Sequence, residues 1–261
     1  MAFWSKPGAL WWREITRFRR QRSRLLGALL QPLVFWLLLG AVLKASFRPA
    51  GLAPGVSYVR YFYAGVLVLV LLFTAIFSTI SVVEDRRQGY LQGVLVAPIG
   101  RGLVVLAQAA GATTLAMGEG VIFLLLGPLA GISPGPWQAA WALVVMAVLA
   151  FTLSSVGLAI AWRIESTQGF HTVMNLILIP LWLLSGAFFP AAGTPLWLRW
   201  AMRLDPLSWG MSALQRLLLA PALATPGWSE LLRETVVAAL FAALAFAAAV
   251  ASAHRSPVGA P

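Results

Sequence analysis

Six stretches of span length run through this sequence with almost no charge. They are Leu25 to Leu43, Tyr61 to Val83, Leu103 to Gly131, Trp137 to Trp162, Phe170 to Phe189 and Val236 to Ala253. A helix needs roughly 20 apolar residues to cross the hydrocarbon core of a bilayer. Lipid offers the backbone no hydrogen-bond partners, so a crossing segment must satisfy its own amides, and a helix does. The short alternating segments of a membrane barrel are missing from the sequence. Composition agrees. Of 261 residues, 60% are hydrophobic and 10% charged, against about 45–50% and about 25% in soluble domains. That excludes an ordinary soluble enzyme and a disordered chain. The expected fold is all-α: six transmembrane helices, an N-terminal interfacial helix, a cytoplasmic helix, and short outer helices before the last span.

Charge gives the expected orientation. The formal net charge is +11, and in so apolar a chain this reflects anionic lipid and the positive-inside bias rather than nucleic acid. With the N-terminus inside, the cytoplasmic segments hold twelve of the nineteen Lys and Arg, seven of them before the first span. Both termini are then expected in the cytoplasm, in a multi-pass protein of the cell (inner) membrane. The expected organisation is an interfacial segment over 1–24, a membrane domain over 25–253 and a tail over 254–261. The long basic start and the lack of an A-x-A site argue against a cleaved leader. There is no cysteine, so no disulfide or thiol chemistry arises.

The connecting segments carry more information than the spans. Residues 5–24 read as an interfacial helix, with Trp11, Trp12, Ile15 and Phe18 toward lipid and Arg13, Arg17, Arg20 and Arg24 near phosphates. A plain topology anchor is the alternative. From Pro190 to Trp228, five prolines alternate with four tryptophans. Proline breaks helices and tryptophan favours the interface, so short helices in or dipping into the outer leaflet are expected; an ordinary outer loop is the alternative. The segment VVEDRRQGYLQGVLVAPIGR, residues 83–102, joins spans two and three. Glu84 and Asp85 start a turn, since acids favour a helix N-terminus. Tyr90, Leu91, Val94 and Leu95 share a helical face and Pro98 ends it. Such a helix is either a docking surface for another protein or a piece lying on lipid.

Within the spans, Glu119 is the one acid at depth. It is either a proton carrier, which would make the chain a proton-coupled secondary transporter, or a carboxyl packed near Thr113, Thr114, Gly118 and Gly120. Span five carries His171, Asn175, Leu178, Trp182 and Ser185 on one face. Span two carries Thr74, Ser78 and Ser81 at the same steps, with Phe73 and Phe77 beside them. Polar stripes must face protein or water. They line a path for an amphipathic molecule, or they are helix contacts. A membrane scaffold without transport is a further reading. Enzymatic chemistry finds no residues to carry it. A phosphate cradle needs a lysine after glycine, and Lys6 and Lys44 both lack that context. His171 and His254 do not make a zinc site, and no G-x-S-x-G occurs.

Glu84, Gly89, Leu95, Pro98 and Arg101 fit the pattern E-x4-G-x5-L-x2-P-x2-R, and the stretch Leu184 to Pro190 reads L-S-G-A-F-F-P. Pro195, Trp197 and the run Leu204-Asp205-Pro206-Leu207-Ser208 follow. Together these resemble permeases of the ABC-2 exporter family over nearly the whole chain. Asp205 departs from the usual N-P-L-S form, and Gly93 stands where a larger polar residue is common. The resemblance implies a permease without enzymatic activity of its own, paired with a second permease subunit in an expected homodimer. Two P-loop ATPase subunits would dock below, with the 84–98 helix as the coupling helix, using Glu84, Gly89, Tyr90, Leu91, Leu95, Pro98 and Arg101. ATP and Mg would sit on those partner subunits, with no cofactor in this chain. It also implies that spans two and five line the centre of the pair, and that the cargo is drug-like or lipid-like.

Overall fold

The computed structural model describes residues 5–20, 22–43, 57–96, 98–191, 194–219 and 227–256. Every regular element among them is helical. In chain order these are α1 (Ser5–Arg20), α2 (Arg22–Leu43), α3 (Tyr58–Ser78), α4 (Ile80–Arg87), α5 (Tyr90–Val96) and α6 (Arg101–Leu125). A 3-10 turn at Gly127–Ala130 precedes α7 (Pro136–Ala161), α8 (Thr167–Leu184), α9 (Leu196–Leu204), α10 (Pro206–Leu218) and α11 (Trp228–Arg255). Lys44, Arg48, Pro221, Pro226 and the tail beyond Ser256 lie outside the described residues.

The bundle is built around α3. This helix is apolar around its whole circumference, and every residue from Tyr61 to Leu72 is buried. A helix hydrophobic on all sides belongs in the middle. Helices α2, α6 and α7 surround it, α8 covers one side, and α11 runs along α7. The outer faces stay apolar: Leu37, Leu38 and Val42 on α2, Leu176 and Ile179 on α8, Leu240 and Leu244 on α11 are all exposed. Faces of this kind match lipid rather than water. The protein is therefore a polytopic membrane protein.

Among the described residues, five segments have the length and composition of membrane spans: Tyr58–Arg87, α6, α7, α8 and α11. The first expected span falls in α2, whose apolar run is the shorter Leu29–Val42. The Trp36 indole donates to the Val59 carbonyl at 3.1 Å, which sets the late part of α2 beside the start of α3. The helix that carries the last expected span starts earlier than Val236, at Trp228. Glu230 and Glu234 interrupt the apolar pattern there, but Arg216 of α10 pairs with both, at 2.6 and 3.0 Å.

Two connecting segments depart from expectation. The stretch 84–98 is not one helix. Glu84 and Asp85 sit in the last turns of α4, a continuation of α3, and not at a helix start. The break comes at Gly89, whose φ of 75° lies in the left-handed region that side chains resist. Helix α1 also packs differently. Phe18 is buried, and the Trp11 indole donates to Thr114 Oγ1 of α6 at 3.1 Å, so these two face the bundle while Trp12 stays exposed. The outer segment does hold short helices. Leu207, Met211, Leu214 and Leu217 of α10 are buried in the bundle, whereas α9 exposes Leu196, Trp197, Trp200 and Leu204.

Candidate coupling corner and transport groove

At one end of the bundle, α1, α4, α5 and α6 meet in a corner held by charge. Arg13 grips Asp85 with two hydrogen bonds, at 2.6 and 2.7 Å. Arg17 reaches Asp85 Oδ1 at 2.8 Å and also pairs with Glu84. Asp85 is only 2% exposed. Acids in the last turn of a helix oppose its dipole, and the two arginines offset that cost. These hydrogen bonds to Asp85 raise the Arg13 guanidinium above its ordinary range. Glu14 lies buried against Gly111, where a Cβ would come 3.0 Å from the Glu14 Cβ. Burial pushes the Glu14 carboxyl up, and a hydrogen bond from Ser81 partly opposes this. So Arg13 and Arg17 serve α4 rather than lipid phosphates. The side chains of Arg20 and Arg24 lie outside the described residues.

Helix α5 stands on this corner. Leu91 is buried and turns into the bundle, so it is not part of a displayed face. Leu95 is half-buried against the core. The face that points away carries Tyr90, Gln92, Gly93 and Val96, with Val96 87% exposed. Tyr90 lies under the Arg13 guanidinium, 3.9 Å from its ring centre. Pro98 is exposed just beyond the helix. Arg101 opens α6 and donates to the carbonyls of Ala253 and His254, at 2.8 and 3.0 Å, capping the end of α11. Arg86 does the same for α7, donating to Trp162 at 2.7 Å. Sequence reasoning missed Arg13, Arg17 and Asp85 as one unit. The available signal was an i, i+4 arginine pair on one amphipathic segment and an adjacent acid pair on another.

The stripes of spans two and five meet, but in a different arrangement from the one expected. The Thr74 hydroxyl is taken by Glu119 of α6, and Ser78 bonds to its own helix at the Thr74 carbonyl, 2.6 Å away. Ser81 turns toward Glu14. These hydroxyls are thus bonded within the bundle, and of the three residues Thr74 still borders the cavity described next. The aromatic neighbours face outward instead. Phe73 and Phe77 stack 5.6 Å apart, and His171 of α8 lies 5.2 Å from Phe77. Together with Gln31 of α2 they line a cavity of about 250 Å³. A second cavity of about 160 Å³ shares Gln31 and Phe73 and adds Asn175, Leu178 and Trp182. The two form one groove between α2, α3 and α8, apolar and aromatic with the amides of Gln31 and Asn175 in its lining.

Trp182 and the residues after it hold that groove in shape. Its indole donates to the Gly65 carbonyl at 2.8 Å, and Ser185 bonds back to the Trp182 carbonyl at 2.7 Å. The chain then turns at Gly186, with φ 86°. The Gly186 carbonyl accepts from Tyr61 at 2.6 Å and from Gln215 at 3.2 Å. Ala187 packs so close to Gly65 that a Cβ there would sit 2.9 Å from the Ala187 Cβ. The L-S-G-A-F-F-P stretch is therefore the joint between α8, α3 and α10. Glu119 is buried, and its second oxygen has no hydrogen-bond partner among the described residues. Thr113 and Thr114 bond to their own helix at Ala109 and Ala110 and not to Glu119. Among the described residues no cluster of three metal-ligating side chains occurs.

Residues 8–219 match the ABC-2 type transporter family. The chain is 29% identical to a nodulation protein J of Rhizobium leguminosarum bv. trifolii over 81% of this chain and 80% of that protein. It is 27% identical to the putative transport permease ycf38 of Cyanophora paradoxa, over 76% of this chain and 68% of that one. It is 25% identical to the probable multidrug ABC transporter permease YbhR of Escherichia coli K12, over 66% of this chain and 47% of that protein.

Proposed function

The chain belongs to the ABC-2 type transporter family, and from that premise we propose that it is the permease subunit of an ATP-driven exporter of the cell membrane. In this reading it moves an amphipathic or lipid-like molecule, with both termini in the cytoplasm. A separate P-loop ATPase, two copies per pair of permeases, binds ATP and Mg and docks on the α4–α5 corner. A second permease copy covers the groove between α2, α3 and α8.

The observation that carries this reading is the α4–α5 corner. A short helix is pinned to the bundle by Leu91 and presents Tyr90, Gln92 and Val96 outward. Its base is held by a buried ion-pair cluster on α1. A rigidly seated helix with one free apolar face suits docking into a groove, and its fixed base suits the passing on of force. Phe73, Phe77 and Asn175 give the groove the mixed aromatic and polar lining that an amphipathic cargo requires.

Val96 tests this without touching the fold, because it is almost fully exposed. Val96→Asp puts a charge into the docking face. The expected result is an ATPase that co-purifies from mild detergent with the wild type and is lost from the variant, at unchanged permease yield. Equal recovery of the ATPase with both would overturn the docking role of α5.

A further inference from the structure

The end of the bundle opposite the α4–α5 corner holds a cavity of about 510 Å³ between α9, α10 and α11. This is within the range of about 300–1,000 Å³ typical of ligand sites. Arg199 and Arg203 of α9 and Arg233 of α11 line it, with Met202, Trp209 and Ser212. Among the described residues, none of the three arginines is in an ion pair. Arg199 makes one long bond to the Thr194 carbonyl, 3.4 Å, and Arg203 rests over the Trp200 ring, 5.2 Å away. Three guanidinium groups around one concave space attract an anion with planar or tetrahedral oxygens, and phosphate suits them best.

A second observation points to what the phosphate is attached to. Glu234 also lines the cavity and is 4% exposed. One oxygen takes Arg216 at 3.0 Å, while Oε2 has no hydrogen-bond partner among the described residues. A buried acceptor left unmade is costly, and it calls for a donor on the ligand. The surroundings fix the level of the site. Trp197, Trp200 and Trp228 are exposed beside it, and Trp137 packs 4.9 Å from Trp228. Exposed tryptophans gather at the membrane interface, where headgroups lie. Leu196 and Leu204 extend this apolar rim on α9.

We propose that this cavity binds the head of a phospholipid whose phosphodiester carries an O–H or N–H donor. The three arginines hold the phosphate, and Glu234 Oε2 accepts from the glycerol hydroxyl or ethanolamine ammonium. The acyl chains leave over the exposed side of α9. The site stands whether or not such a lipid is the cargo, so its test uses binding and not transport.

The full chain, purified in detergent, is incubated with phosphatidylglycerol, phosphatidylethanolamine or phosphatidylcholine, and the retained lipid is counted by native mass spectrometry. The expected result is retention of the first two, with phosphatidylcholine, which has no headgroup donor, retained at least tenfold less. Replacing Arg199, Arg203 and Arg233 together with Gln is expected to cut retention about tenfold. Ser212→Trp, which fills the cavity and leaves the charges, is expected to do the same, and it decides the matter if the triple variant does not fold. Equal retention of all three lipids, or unchanged retention in a folded variant, would overturn the proposal. So would binding of free glycerol phosphate with no lipid retained.

Discussion

Single residues carry much of the stress in this bundle, and Asp205 shows it best. It caps α10 by accepting from the Leu207 amide at 3.1 Å and lies 3.0 Å from the Ser208 hydroxyl. Burial nonetheless pushes its carboxyl up from 3.8 to about 7. A raised carboxyl contributes stability in full below its unfolded value, about 4, and loses it as pH rises through 7. Asp205→Asn keeps an acceptor for the cap and removes the titration. The variant should melt a few degrees above the wild type at pH 8, with the gap shrinking toward pH 5. Thermal unfolding in detergent at the two pH values measures this, and a gap independent of pH would contradict it. The sequence marks Asp205 as a departure from the family pattern. Its burial was not legible there, because it depends on α10 folding back into the bundle.

At the scale of elements, α1 is a clasp more than a float. Its arginines neutralise Asp85, so removing them leaves a buried carboxylate unpaired, a loss of about 3–5 kcal/mol in such cases. Removing the acid instead leaves two guanidiniums that are partly exposed and able to hydrate. The double change of Arg13 and Arg17 to Ala should therefore lower the melting temperature more than Asp85→Ala does. It should also expose the α1–α2 junction to protease. The reverse ranking would mean that α1 holds by its apolar contacts alone. This pairing explains what the sequence shows and what it hides. The spans follow from apolar runs, and α5 from spacing and Pro98. That α1 turns Phe18 and Trp11 inward does not follow, because an amphipathic helix suits lipid and protein equally well until its charged partners are known. The polar stripe of span two is hidden for the same reason. Thr74 does border the cavity beside Phe73 and Phe77, but its hydroxyl is taken by Glu119, which the sequence does not show.

For the molecule as a whole, the pieces divide into two working ends and a middle. The corner of α1, α4 and α5 lies at one end, the arginine-lined cavity at the other, and the aromatic groove runs between α3 and α8. Segment α3–α4 crosses from the second end to the first. The Gly65 contact anchors it near one end and the Asp85 cluster at the other. In the proposed function, a shift of α5 would reach the helix that also forms a wall of the groove.

The grip of Arg101 on Ala253 and His254 has a consequence for parity. It ties the end of α11 to the first turn of α6. Helix α1 lies along that same helix, with Glu14 at Gly111, about 15 Å further along at 1.5 Å per residue. With both termini in the cytoplasm, as proposed above, the number of crossings is even. Among the described residues five helices qualify by length and composition, so in that reading α2 with its short apolar run makes the sixth crossing. The chain has no cysteine of its own, which makes the point easy to check. Single cysteines introduced at Gly8 and at His254 should react with a membrane-impermeant maleimide from the same side and be protected from the other. Labelling from opposite sides would mean an odd count, with α2 lying along the membrane instead of across it.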